Sequence, residues 1–314
     1  MQFRFNTLFF LLAVLLLAGN VACLAGNVAF KEVAKPTKDK FTVKKFVLYD
    51  AMSYLGKPDL TSDGFSRIKV LYEAHLTKPD PNDSTKVILD MNKINKLAAE
   101  AEYSNSVEYS DSTVICTDIE QWFRDRSVSG EEMATRFTTM FKVFRDKIDN
   151  VEISNYGIAP SALCVSRFYD NGKTDEKTLI NNWKASNEKR WASANTVDFF
   201  APTVYIAEPN IDSWINDLKI TVKEIKAHDA AKKIIVFLWP QYYDKKGSPY
   251  YKKVIAPEIW QQMLEAVYEN CDGAIIWSGT IDAINWDDPR VQAMMNVTKQ
   301  FIDFHKENKA VFIK

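Results

Sequence analysis

The sequence predicts an α/β chain folded as a (β/α)8-type TIM barrel with seven clear strands, and three observations carry that reading. Seven short apolar runs, beginning near residues 46, 67, 113, 151, 197, 233 and 273, alternate with helical or long connecting segments. Such alternation builds βα units around a parallel sheet. The roughly 290 residues that remain after an N-terminal leader suit a barrel of this kind. The competing doubly wound sheet usually opens with a Gly-rich phosphate loop, and neither GxGxxG nor GxxxxGK[ST] occurs. With 46% hydrophobic and 26% charged residues and a formal net charge of −1, the chain is globular. That balance excludes a disordered tail, a collagen, and a surface basic enough to make nucleic acid the main partner.

The elements follow in order. Residues 1–22 read as a signal peptide: Arg4 supplies the basic start, residues 9–17 an apolar run too short for a membrane span, and small residues follow. The pentapeptide AGNVA stands at 18–22 and again at 25–29, which leaves the cleavage point ambiguous. Cys23 fits either a lipidated N-terminus or a plain secreted chain, so the expected location is secreted, periplasmic or cell-surface. Residues 23–44 are a Lys-rich arm or linker, and 45–314 are expected to form a single barrel domain. Beyond Cys23 only Cys116, Cys164 and Cys271 remain. They allow at most one internal disulfide, so stability must come from the core.

Residues 45–50 (KFVLYD) and 67–72 (RIKVLY) are the first two strands, separated by a turn-rich 56–64. Residues 78–86 (KPDPNDSTK) are expected as a polar loop. Residues 87–102 carry helical spacing, with Ile88, Met91, Ile94, Leu97 and Ala98 on one stripe. Residues 112–118 (STVICTD) form a buried-type strand. Ser129-Gly-Glu-Glu132 is a capping box opening a helix whose Met133, Phe137, Met140, Phe141 and Phe144 share a face. Strand-like 151–158, helical 174–194, strand-like 196–206 and helical 211–231 continue the alternation. Residues 233–239 (KIIVFLW) are a buried strand, 257–270 a helix with Pro257 near its start, 273–278 (GAIIWS) a strand and 289–308 the last helix.

In a barrel, functional groups gather at the C-terminal strand ends. That rule selects Asp50, Glu73, Asp118 with Glu120, Tyr156, Tyr205 with Glu208, Tyr242 with Tyr243, and Trp277. Asp118 and Glu120 form the sharpest pair. Residues two apart on a strand share a face, so both would project toward the barrel mouth. Two carboxylates so close cannot both ionise cheaply; one pKa rises, leaving an acid beside an anion. Glycosidic bond cleavage needs that combination. The same spacing also describes a helix N-cap, with Asp118 capping and Glu120 in the first turn. An enzyme nucleophile would lie across the sugar, on the order of 5–9 Å from the acid. Two groups on one strand lie on one side, so a 2-acetamido oxygen of the substrate is the economical nucleophile, with Asp118 orienting it and Glu120 as acid, then base. His75, His228 and His305 lack metal-ligand spacing, Cys116 reads as core, and no G-x-S-x-G elbow occurs. Neither a metal nor an organic cofactor is expected. Aromatic residues at 13% of the chain suit a sugar cleft and an aromatic core alike.

Asp118-Ile-Glu-Gln-Trp122 resembles the Asp-Trp-Glu-x-Trp signature of hyaluronidase-type glycoside hydrolases. Further segments agree in the same order. Residues 67–76 (RIKVLYEAHL) are similar to that family's second strand, Asn155-Tyr-Gly-Ile-Ala-Pro160 to its WGYYGFP strand, and Ala201-Pro-Thr-Val-Tyr205-Ile to its YPSIY segment. Pro240-Gln-Tyr-Tyr243-Asp244 resembles its FYD strand end, and Asp272-Gly-Ala-Ile-Ile-Trp277-Ser-Gly its GxxGVVLWGS strand. The resemblance spans roughly 45 to 300 and implies a barrel enzyme cleaving a polysaccharide or oligosaccharide. It implies Glu120 as general acid/base and Asp118 as the carboxylate holding the acetamido group. Tyr205 would help position that group, Tyr243 (or Tyr242 in another registration) would line the sugar cleft, and Trp277 would floor it. The family's middle Trp is Ile119 here, its Arg-Pro is Phe123-Arg124, its cysteine pairs are absent, and the net charge offers no basic cleft for a uronic-acid polymer. These departures point to another glycan. Should that glycan lack an N-acetyl group, Glu73, Asp50, Glu208 or Asp282 would have to act. A non-catalytic glycan-binding protein on the same scaffold is the remaining alternative.

Overall fold

The computed structural model describes residues 44–108, 113–243, 247–279, 284–307 and 311–312, with 101–108 and 311–312 as backbone. The expected leader, Cys23 and the arm up to residue 43 lie outside the described residues, as do Asp244 and Asp282. The elements are β1 (Lys45–Ala51), β2 (Ser66–Arg67), β3 (Lys69–Tyr72), α1 (Glu73–Leu76), β4 (Thr77–Asp80), β5 (Asp83–Leu89), α2 (Met91–Glu108), β6 (Val114–Asp118), α3 (Gln121–Arg124) and α4 (Gly130–Lys147). There follow β7 (Glu152–Asn155), α5 (Leu163–Asp170), α6 (Glu176–Trp191), β8 (Phe199–Phe200), α7 (Ile211–His228), β9 (Lys233–Leu238), α8 (Pro257–Asn270), β10 (Gly273–Trp277), α9 (Pro289–Glu307) and β11 (Val311–Phe312).

The seven expected strand positions are occupied and all pair in parallel, in sequence order around a ring. The ladders fall into two sheets, β11-β1-β10-β9-β8 with β2 on β1, and β3-β6-β7. Two seams join them. Ile68 alone separates β2 from β3. At the other seam Asp198 N donates to Ile153 O at 2.8 Å and Gly157 N to Ala201 O at 2.9 Å.

The period of two sorts the strand side chains. Phe46, Leu48, Ile115, Ile153, Ile234, Val236 and Ile276 join an outer core beneath the helices. Val47, Tyr49, Val114, Cys116, Ile235, Phe237 and Ile275 fill the inside of the ring as a second core. Because the inside is packed, a ligand can approach only at the strand ends. The helix expected from the Ser129 capping box forms: Ser129 Oγ accepts from Glu132 N at 3.1 Å, and all five residues of its apolar face are buried.

Three expectations change. Residues 78–86 are not a loop: 77–89 form an antiparallel hairpin, β4 against β5. Asp90 ends it, its Oδ1 accepting from Asn92 N at 3.1 Å, so the helix begins at Met91 and Ile88 belongs to a strand. The strand at 196–206 shrinks to Phe199–Phe200, since Pro202 has no N–H for the ladder. A short amphipathic helix, α5, occupies part of the connection before 174.

Candidate active site

β6 ends at Asp118, whose parity with Val114 and Cys116 turns it toward the inside at the C-terminal rim. Asn155, fully buried, fixes this end. Its Oδ1 accepts from the Thr117 hydroxyl at 2.8 Å and from Ile119 N at 3.1 Å, and its Nδ2 donates to Tyr156 O at 2.8 Å. Ile119 turns outward into the outer core. The chain then leaves strand geometry: Glu120 has φ −98° and ψ −26° at the start of α3. A backbone turn, rather than the pleat of a strand, therefore brings Glu120 beside Asp118.

The helix-capping alternative does not describe the pair either. Gln121 N donates to Glu73 Oε2 at 3.0 Å, so α3 is capped across space by the first residue of α1. Trp122 anchors α3 from below, its Nε1 donating to Val87 O at 3.2 Å and its ring meeting Phe137 edge-on at 5.1 Å. The hairpin and α4 thus position Glu120 indirectly.

The two carboxylates have unlike surroundings. Asp118 Oδ1 is sealed from solvent with no hydrogen-bond partner among the described residues. Burial first, then the neighbouring Glu120 and Glu73, push its carboxyl up to about 7. The Glu120 side chain is 41% exposed and forms an ion pair with Arg124. Burial therefore favours the protonated form of Asp118. Burial decides this, and D-x-E spacing carries no information about it.

An aromatic bowl adjoins the pair. The buried Tyr205 ring lies parallel to Trp277 at 6.0 Å and meets Trp239 at 5.6 Å, Tyr156 at 6.4 Å and Tyr243 at 6.4 Å. Trp277 Nε1 donates to the Tyr72 hydroxyl at 3.0 Å. Burial raises the phenols of both Tyr156 and Tyr205 well above their ordinary value, so both remain neutral donors. The structure thus brings together Asp118, Glu120, Glu73, Tyr156, Tyr205, Tyr243 and Trp277. It places Tyr242 elsewhere: one residue of pleat sends it into the outer core against Tyr250, ring to ring at 5.3 Å. Asp50 shares the outward parity of Leu48 and pairs with Lys57. Glu208 lines a separate cavity of about 570 Å³ beside the bowl.

Four neighbours escaped the sequence reading. Trp239 and Tyr72 carried a signal, since each closes an apolar strand run. Arg124 carried a weaker one, the i,i+4 spacing from Glu120. Arg190 carried none. It arrives from α6, its guanidinium 4.0 Å from the Phe123 ring centroid, and burial pulls its pKa down to about 10 against the attraction of Glu120.

No protein-family model matches the sequence, and no curated protein matches it. Solved structures do match in fold. A structure of bee venom hyaluronidase aligns with a TM-score of 0.51 at 13% identity, covering 84% of this chain and 100% of that one. An engineered protein aligns with a TM-score of 0.50 at 9% identity, over 81% of this chain and 55% of that one. A Cellulomonas fimi endo-β-1,4-mannanase double mutant aligns at 0.48 and 9% identity, over 81% and 56%. At such identities the likeness is one of architecture: the chain has the α/β barrel-type fold that it shares with bee venom hyaluronidase, as the order of its motifs predicts.

Proposed function

We propose that this chain is a glycoside hydrolase that cleaves the bond next to a 2-acetamido sugar with retention of configuration, using Asp118 and Glu120 as a pair that shares one proton. The observation that carries the reading is the half-buried Asp118 carboxyl, its Oδ1 buried and unpartnered among the described residues, beside the solvent-facing Glu120, at the mouth of a parallel ring and against an aromatic bowl. The hyaluronidase-like architecture supports it at the level of fold.

In this mechanism the acetamido N–H of the bound sugar donates to Asp118. An acceptor must be anionic to bind it well, so the proton passes to Glu120. Glu120 protonates the departing glycosidic oxygen while the acetamido carbonyl oxygen attacks C1, and an oxazolinium forms as the C1–O bond breaks. The Glu120 carboxylate then takes a proton from water, whose oxygen attacks C1 from the face the leaving group vacated. The ring opens with configuration retained, and the proton is back on the pair. Tyr205 and Tyr156 supply neutral hydroxyls to the acetamido group. Of the alternative carboxylates, Glu73 holds Gln121 N, Asp50 pairs with Lys57 and Glu208 lines the separate cavity, while Asp282 lies outside the described residues. Export through residues 1–22 belongs to the same proposal, since an extended glycan is met outside the cell.

The test is product mass analysis on chitin oligomers, glycosaminoglycans and plant or algal polysaccharides. Glu120→Gln is expected to lower kcat at least about 100-fold with its unfolding transition unchanged. Full activity in that variant, on any glycan the parent cleaves, would remove Glu120 from the chemistry.

A further inference from the structure

The cavity beside the bowl is large enough for a ligand-sized group, at about 570 Å³. It is lined by α5, by the start of α7 and by residues 247–250. An aromatic track leads into it from the proposed catalytic pair. Trp277 lies parallel to Tyr205 at 6.0 Å, Tyr205 meets Tyr243 at 6.4 Å, and Tyr243 meets Phe168 on the cavity wall at 6.3 Å. The floor is rigid: the buried Trp214 donates its Nε1 to Val204 O at 2.7 Å. Tyr250 supplies a further half-buried ring on the wall. Aromatic faces with a few polar groups are the surface on which a sugar ring packs its C–H face.

The charge of this cavity selects its occupant. The one lining cation among the described residues, Arg167, is occupied: Nε and Nη2 donate to Asp217 at 3.0 and 2.6 Å, and Nη1 and Nη2 to Glu176 at 2.5 and 2.8 Å. Four of the five N–H donors of that guanidinium are taken by these two carboxylates, and its charge is balanced by them. Glu208 adds a further carboxylate on the exposed wall, with no ion-pair partner among the described residues.

We infer that this cavity is a second sugar-binding site on the same glycan, taking an uncharged or amino-bearing sugar unit and rejecting uronates, with Glu208 as the residue that sets the choice. The inference rests on the glycan reading of the pair. It departs from what the likeness to a hyaluronidase would suggest, because an anionic wall repels an acidic polymer.

The test is calorimetric binding to the Glu120→Gln protein, which leaves the oligomer intact. The probes are N-acetylglucosamine dimer and hexamer, glucosamine hexamer and hyaluronan hexamer. Both hexamers without carboxylates should bind about tenfold or more tighter than the dimer, and tighter than the hyaluronan hexamer. Glu208→Lys should reverse the ranking of the glucosamine and hyaluronan hexamers. Tyr250→Ala should weaken the hexamers and leave the dimer unchanged. Equal or tighter binding of the hyaluronan hexamer, an unchanged ranking in Glu208→Lys, or no binding of any hexamer would overturn the inference. Binding of a hexamer that the parent enzyme never cleaves would instead defeat the acid/base reading and leave this site standing.

Discussion

Replacing Asp118 by Asn should make the protein more stable at pH 8 while removing its turnover. In the fold the carboxyl titrates at about 7, against an ordinary 3.8. That gap is worth roughly 4 kcal/mol of preference for the neutral form. The sign follows from proton binding. Between about pH 4 and 7 the unfolded chain has released this proton and the native state still holds it, so the contribution to stability falls as pH rises. Above 7 the full penalty is present, and below about 4 both states hold the proton and it vanishes. Asn keeps the shape and removes the ionisation. Some of the repulsion relaxes by movement of the exposed Glu120, so the expected gain at pH 8 is about 2–4 kcal/mol, fading to near zero at pH 4. Urea denaturation followed by tryptophan fluorescence at both pH values measures it, with the slope m as a check that the transition is the same. A variant no more stable than the parent at pH 8, or one with the same offset at both pH values, would refute the placement of Asp118 as a largely desolvated carboxyl beside Glu120.

Further outcomes follow from the same geometry. The kcat/KM profile should fall above about pH 7, as the resting pair loses its single proton; a rate flat to pH 9 on a cleaved glycan contradicts this. Asn155→Ala leaves Ile119 N and the Thr117 hydroxyl without their acceptor in a fully buried place, and should cost about 2–3 kcal/mol, read by the same denaturation. Glu73→Ala takes the acceptor from Gln121 N and should cost about 1 kcal/mol, with kcat falling more than KM rises. Glu73→Gln keeps an acceptor oxygen and should restore most of the loss; equal defects in the two variants would show that Glu73 acts by its charge.

What the chain itself announced was periodicity and order. Alternating apolar runs named seven strand positions, because a strand buried on both faces must be apolar along its length. The Ser129 box named a helix start because its chemistry is local. Strand-end position named Asp118, Glu120, Tyr156, Tyr205, Tyr243 and Trp277, since parallel βα units leave their C-terminal ends open. The hairpin at 77–89 stayed hidden behind Pro79 and a run of polar residues, as its stability comes from cross-strand pairing and from α3 lying on it. Tertiary structure alone pushed the Asp118 carboxyl up, because solvent exclusion is a property of the assembled wall. It alone set Tyr242 outside the bowl and Tyr243 within, one residue of pleat apart. Only folding brought Arg190 from α6 toward Glu120, Glu73 to the head of α3, and Arg167 between Glu176 and Asp217. The contacts of Glu73 with Gln121 and of Arg167 with Asp217 each cross about fifty residues of chain, and a linear sequence holds no record of distance in space.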